Sequence, residues 1–285
     1  RRIQRRLLMQ QVDSVNDYAE QLRENSQELN SLYMDLLIGV TRFFRDPEAF
    51  AVLEKKIIPN LLDSIPPEEE IRIWIAACAT GEEAYSIAIL FHEQLEERNR
   101  PINIKIFATD AHKASLEFAS AGNYEEDAFK EVSDKRLKRY FHRTQKGYSV
   151  DPDLRKMIVF APHNVLKDAP FTKLDLISCR NLLIYFQNRA QKRALSLFHF
   201  GLKANGILML GPSESPGELA DEFQVIDGHW KLYHKRRDIR LPADIRGPLT
   251  HTSLTSTKVE ETRQPATKKR ELMDISLLGA YDWVL

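Results

Sequence analysis

The sequence lacks a net charge: Lys plus Arg and Asp plus Glu each total 41 over 285 residues. No global field therefore draws the chain to nucleic acid or to a membrane surface, and any electrostatic partner is met by a local patch. No apolar run approaches the roughly 18 residues that a membrane span needs, and the amino terminus, RRIQRRLLMQ, lacks the apolar stretch of a secretory signal. Cysteine is scarce. Cys78 and Cys179 are too few and too far apart for a disulfide framework or a zinc site, and they read as small buried hydrophobes. The eight histidines are scattered, so no metal site is expected, and there is no internal repeat and no Ser/His or Cys/His constellation. Together these absences point to a cytoplasmic protein with no nucleic-acid partner and no direct membrane insertion.

What is present is an ordinary globular composition, 43% hydrophobic and 29% charged, in a chain long enough for one large or two small domains. The first residue is not Met and already sits in a helical pattern, so the chain reads as a piece of a longer polypeptide. From Ile3 to about Leu62 apolar residues recur at helical spacing, among them Tyr18, Leu22, Leu29, Leu32, Leu36 and Leu37, with Ser14 and Ser26 as N-caps. Asp46 and Pro47 have the pattern of an N-cap and first helical position.

After DSIPPEEE the grain changes. Short apolar runs at 71–77, 104–110, 157–163, 174–180 and 206–211 alternate with helix-length segments, the pattern of a mainly parallel sheet with crossover helices. FQVIDG and HWKLYHKR predict an antiparallel hairpin at one edge, turning at Asp227-Gly228. About 45 residues between the second and third runs exceed one crossover helix, which predicts a small insertion. Beyond Arg237 a Thr-, Ser-, Lys- and Pro-rich stretch reads as a flexible linker before the apolar MDISLLGAYDWVL. The expected division is a helical domain at 1–65, an α/β domain at 66–237 with an insertion at about 135–157, and a linker with a C-terminal segment at 238–285.

In an open parallel sheet the ligand lies beyond the carboxyl ends of the strands. Those ends carry Ala79, Thr80, Gly81, Glu82 and Glu83 after the first run, Asp110 after the second, His163 and Asn164 after the third, and Arg180 and Asn181 after the fourth. The set is rich in acids and amides. A pyrophosphate turn wants several glycines and a helix N-terminus open to an anion, and two adjacent glutamates would repel one. They suit an amine or another cation, while Asp110 is placed for a ribose diol. A ligand with an amine, a positive centre, a ribose and an adenine, but no phosphate, describes S-adenosylmethionine. The competing reading is that Glu82 and Glu83 only favour the start of a helix through its dipole.

TRFFRDPEAF, AACATGEEAYSIA, FATDAHKASLEFASAGNY, FAPHNVL, LDLISCRNLLIYF and LMLGPSES together resemble, in wording and order, the CheR-type chemoreceptor glutamate methyltransferases. The resemblance covers roughly residues 1–236. LLIGVTRFFRDPEAF is most similar to copies in large multidomain sensory proteins, so other modules of the same polypeptide are expected partners beside methyl-accepting chemoreceptor helices. The resemblance implies an N-terminal all-helical domain, a Rossmann-like α/β sheet dependent on S-adenosylmethionine, a small inserted β-subdomain, and S-adenosylhomocysteine as product. It places cofactor contacts on Thr41 and Arg45, on Glu83 and Asp110, on Asn164 with Val165, and on Asn181 with Leu182. Gly81 lets the backbone approach the ligand, and Tyr185 falls near methyl transfer. Gly39 stands where some relatives carry an asparagine contact. RTQKGY is shorter than the loop by which some relatives dock a receptor's C-terminal pentapeptide, which speaks against tethering of that kind.

A glutamate acceptor, with a reference pKa of about 4.3, is ionised at neutral pH, so attack on a sulfonium methyl needs no general base. The site must instead align the reactants and strip water from both charges. Arg45 is the candidate for positioning the acceptor carboxylate, and Tyr185 for orienting it through its hydroxyl. Bland readings stand beside these: Arg45 pairing with Asp46 or Glu48, Phe43 and Phe44 as packing, and Tyr185 as a buried aromatic. Arg1, Arg2, Arg5 and Arg6 read as a solvated helix face or as a receiver of an acidic receptor helix. The rival functions are a non-catalytic cofactor-binding or interaction module and a methyltransferase with another acceptor.

Overall fold

The computed structural model describes residues 2–25, 27–29, 31–32, 41–66, 68–99 and 102–239. Ser26, Leu36, Leu37 and Gly39, and the linker and apolar segment from residue 240 onward, lie outside the described residues. Contacts group the chain into two units, one ending at Thr41 and one beginning at Arg42.

The first unit contains helices Arg2–Gln10 and Val15–Glu24. Ser14 caps the second helix as its sequence predicts, its hydroxyl accepting the N–H of Asn16 and Asp17. Glu28 is only 5% exposed, and a carboxylate at that depth needs a full set of donors. Arg6, Gln10 and Tyr18 supply them, the last two at 2.6 Å. Burial, together with the bond to Glu28, pushes the Tyr18 hydroxyl up to about 12. Arg6 is therefore engaged inside this unit, unlike the solvated face expected for the four arginines.

The second unit is built on a seven-stranded sheet. In chain order its strands are β1 (Ile71–Ala76), β2 (Ile104–Asp110), β6 (Ile158–Pro162), β7 (Leu174–Cys179), β8 (Leu202–Leu210), β9 (Phe223–Asp227) and β10 (Leu232–Lys235). The spatial order is β6-β2-β1-β7-β8-β10-β9, parallel from β6 to β8 and antiparallel through β10 and β9. This is the α/β architecture expected, with the hairpin at one edge. Strand periodicity sorts side chains onto two buried faces. Ile71, Ile73 and Ile75 join one core with Ile207 and Met209, while Trp74 and Ala76 join the other with Leu208 and Leu210. Each fully buried isoleucine stabilises the fold by roughly 1.5–3 kcal/mol, so the central strands hold the strand ends rigidly.

The expected hairpin turn is fixed by Asp227, whose Oδ1 accepts the N–H of His229 and Trp230. β8 starts earlier than its apolar run, because Lys203, Ala204 and Asn205 form an irregular stretch with Asn205 at φ 63° before Gly206. The insertion between β2 and β6 is a three-stranded sheet in which β5 (Gly147–Val150) lies between β3 (Asn123–Tyr124) and β4 (Phe141–Thr144). Its first strand comes from upstream of residue 135. Helical residues 47–64 pack in the same core as β1. A π turn at Leu53–Ile57 carries the chain past Pro59, which has no N–H for an α-helical bond.

His199, 1% exposed, has its imidazolium form disfavoured by burial and by Lys235, so it resists protonation. An unfolded histidine protonates at about 6.5, and below that pH the unfolded chain binds a proton that the folded chain refuses. Stability should be complete above that value and fall as the pH is lowered through it. The thermal midpoint followed from pH 8 to pH 5 should show this fall, and His199→Phe should flatten it. Identical pH slopes would remove His199 from the effect.

Candidate active site

The turn after β1 is wound through left-handed backbone at every second residue: Ala77 at φ 58°, Ala79 at 46° and Gly81 at 93°. Only Gly81 is without a side chain there. A Cβ on it would sit 2.7 Å from Ala119 Cβ and 3.1 Å from the Tyr124 hydroxyl, so both the dihedral and the space demand glycine. Tyr124 braces the same turn by donating to the Thr80 carbonyl at 2.6 Å. Thr80 in turn donates its hydroxyl to the Glu82 carboxylate at 2.7 Å. Glu82 is 5% exposed and burial raises its carboxyl, so this glutamate secures the turn from inside.

Asp110 is held by main chain at both oxygens. Ala79 N–H donates to Oδ2 at 2.9 Å and His112 N–H to Oδ1 at 2.8 Å. Each oxygen keeps a second lone pair, so the carboxylate is a fixed acceptor suited to two neighbouring hydroxyls. Asp110 closes β2, which ends where its apolar run does.

Glu83 has a different setting from the one expected. Its Oε1 accepts the Ser178 hydroxyl at 2.6 Å and its Oε2 lies 3.3 Å from Arg180 Nη1. The Arg180 side chain, 2% exposed, also donates to the Asp46 carboxylate and, at 3.1 Å, to the Arg45 carbonyl, and it stacks 5.5 Å from the Phe50 ring centroid. The acids after β1 are thus not simply waiting for a cation. Two carboxylates share one guanidinium, which leaves the cluster net negative but braced.

Asp46 does occupy the N-cap position of helix Pro47–Val52, yet it makes no side-chain capping bond, because Arg180 takes its carboxylate. Asp46, considered from sequence as a partner of Arg45, gives its carboxylate to Arg180. Arg45 itself is half-buried and lies between two left-handed residues, Phe44 at φ 52° and Asp46 at 63°. Phe43 and Phe44 are packing residues, as read. Phe43 is fully buried against Tyr124, Phe129 and Phe141, and the Phe44 N–H donates to Ser86 Oγ at 2.9 Å. Arg136, bound to Glu93 and Glu54, lies 4.9 Å from the Phe44 ring centroid.

The remaining strand ends complete the arrangement. After β6, Asn164 Oδ1 accepts the N–H of Leu166 and Lys167, and Val165 is buried at 7% exposure. After β7, Asn181 is left-handed at φ 60° and donates its N–H to Glu214 Oε2 at 3.0 Å. Leu182 is half-buried, and the short turn Leu183–Tyr185 leaves Tyr185 44% exposed, which overturns the buried-aromatic reading. Cys78 and Cys179 are buried, and burial raises both thiols well above their usual range. Thr41 belongs to the first unit.

Parallel pairing brings the carboxyl ends of β1, β2, β6 and β7 to one side, and with them Gly81, Glu83, Asp110, Asn164, Val165, Asn181 and Leu182. The loop bearing Arg45 is joined to them through Arg180. Sequence reasoning placed Arg180 at a strand end without giving it a role, and it missed Ser178 and Glu214. The available signal was a charged residue closing an apolar strand, which demands a partner when buried.

The family model described as CheR methyltransferase, SAM binding domain, matches residues 39–232. A 104.1 kDa protein from the hypE 3′ region of Rhodobacter capsulatus is 41% identical over 237 residues, covering 83% of this chain but 25% of that protein. The chain thus spans about a quarter of that relative's length. A chemotaxis protein methyltransferase of Listeria innocua is 32% identical, covering 75% of this chain and 79% of its own. Chemotaxis protein methyltransferase 1 of Pseudomonas aeruginosa is 32% identical, covering 79% and 84%. The cofactor is S-adenosylmethionine. The strand ends fit it: a fixed carboxylate for a diol, a glycine turn with no room for a side chain, a net-negative cluster for a cation, and acids where a phosphate would need donors.

Asp110→Asn turns one acceptor oxygen into a donor facing a main-chain N–H. Calorimetry with S-adenosylhomocysteine should show at least about tenfold weaker binding, the size of one lost buried acceptor. Unchanged affinity would exclude Asp110 from holding the cofactor.

Proposed function

Because the chain belongs to the CheR methyltransferase family, we propose that it transfers methyl groups from S-adenosylmethionine to glutamate carboxylates of methyl-accepting chemoreceptor helices. The products are glutamate methyl esters and S-adenosylhomocysteine, formed in the cytoplasm during chemotaxis-like signalling. The names of the Listeria and Pseudomonas relatives support the chemotactic setting. The observation that carries the reading is the tethering of the Arg45 loop to the cofactor strand ends through Arg180.

S-adenosylmethionine supplies a methyl group on a positive sulfur, so a carboxylate oxygen bonds carbon as the carbon–sulfur bond breaks, and no proton is exchanged. The protein's task is then orientation and removal of water. Arg45 offers a guanidinium fork matching the acceptor carboxylate. Exposed Tyr185 presents its hydroxyl to the same group. Asp110 takes the ribose diol, and Glu83, steadied by Ser178 and Arg180, keeps lone pairs for the amine. Gly81, Asn164 with Val165, and Asn181 with Leu182 complete the cofactor's surroundings. Glu83 and Asp46 together outweigh Arg180, so the guanidinium does not repel a cationic ligand.

A second reading, a cofactor-binding or interaction module that transfers nothing, is favoured by one observation: the matched region is a small part of the longer Rhodobacter protein. Arg45→Ala separates the two. On the catalytic reading, turnover with receptor fragments should fall on the order of a hundredfold, as for loss of one orienting group, while S-adenosylhomocysteine still binds. Unchanged turnover would remove Arg45 from the mechanism.

A further inference from the structure

Glu214 is a buried acid that the mechanism above does not use. It lies after β8, in the turn from Gly211, and is 5% exposed. Its Oε2 accepts the N–H of Gly211 at 2.7 Å and of Asn181 at 3.0 Å, and its Oε1 accepts the N–H of Ile184 at 3.3 Å. Its own N–H closes the turn on the Gly211 carbonyl at 2.9 Å. The carboxylate therefore stitches the end of β8 to the segment after β7.

That segment needs such a brace. Asn181 holds a left-handed conformation, and the N–H groups that open a short helical turn have no partners within it. Glu214 receives that of Ile184 and also the Asn181 N–H just ahead of the turn, and an anion suits that end. At the far side Gln191 donates to the carbonyls of Leu183 and Phe186 at 3.0 and 2.9 Å. Asn181 and Tyr185 are thus carried on a loop clamped at one end by buried Glu214 and at the other by half-buried Gln191. Gly211 makes room for the clamp, since a Cβ there would lie 2.8 Å from Glu214 Oε2 and 2.9 Å from Asn181 N.

We propose that Glu214 is a positioning residue, which through the N–H groups of Asn181 and Ile184 sets Asn181 and Leu182 for the cofactor and Tyr185 for the acceptor. The inference rests on the reading that those three residues line the site. Burial raises the Glu214 carboxyl while the N–H donors of Gly211, Asn181 and Ile184 oppose the rise, in keeping with a carboxylate held by main chain alone.

Glu214→Gln preserves the shape but turns an NH₂ toward N–H groups. Titration of the folded variant with S-adenosylhomocysteine should show about tenfold weaker binding or more, and its single-turnover methyl transfer at saturating cofactor should fall by a larger factor, up to about a hundredfold. A merely structural role would lower the melting temperature and leave both unchanged in the folded protein, and that result would overturn the proposal. If Glu214→Gln does not fold, Gly211→Ala, which displaces the carboxylate without altering charge, decides it. Weakened binding in that variant supports the proposal, and wild-type binding overturns it. The binding arm needs no acceptor, so weakened binding with no methylation of any receptor by the wild type would sustain this inference while removing the glutamate acceptor.

Discussion

The buried guanidinium of Arg180 joins three parts of the second unit that are distant in sequence. It links the end of β7, the first turn of helix Glu82–Glu97 through Glu83, and the loop Arg45–Asp46. Removing one partner of a buried pair typically costs about 3–5 kcal/mol, because the charge left behind has lost its water. Here the loss of Arg180 would take a partner from two carboxylates at once, and their side-chain exposure, 17% for Glu83 and 31% for Asp46, lowers the cost through solvent screening. The cofactor face and the loop expected to present the acceptor are held in register by one side chain.

The arrangement is strained, and the strain has a counterweight. Phe44, Asp46, Ala77, Ala79 and Asn181 are non-glycine residues in left-handed backbone, all at these strand ends or in the Arg45 loop. Sparsely populated conformations of this kind cost about 1–3 kcal/mol each. Against the first two stands Phe43, whose ring contacts with Tyr124, Phe129 and Phe141 contribute about 0.5–1.5 kcal/mol apiece beyond its burial. The inserted subdomain, which supplies those rings, is therefore part of what keeps Arg45 in place. Fixing geometry beforehand is the main contribution a protein can make to a transfer that needs no base.

Much of this was legible in the sequence for local reasons. β2 and β7 follow their apolar runs because strands buried on both faces must be apolar at nearly every position. The hairpin turn follows from Asp227 bonding its own neighbours. Asp110 was readable as the end of β2 because it closes the apolar run 104–110. Glu83 was readable as a position but not in its bonds, since Arg180 lies 97 residues away and Asp46 another long step from it. Glu214 escaped for the same reason: its partners Asn181 and Ile184 are 33 and 30 residues distant. Nothing local marks a glutamate in a Gly-Pro-Ser turn as the acceptor for another loop's main chain. The early start of β8 escaped because Lys203 to Asn205 are half-buried or exposed, without an apolar run.

The central claim is that a braced cofactor face and a tethered arginine serve methyl esterification of receptor glutamates. Its most direct test is incubation of this protein with chemoreceptor cytoplasmic fragments and methyl-labelled S-adenosylmethionine, followed by peptide mapping of the label. Base-labile label on glutamate side chains, with S-adenosylhomocysteine released in equal amount, is the result the account predicts. Cofactor binding with no label on any receptor fragment, or label on residues other than glutamate, would contradict it.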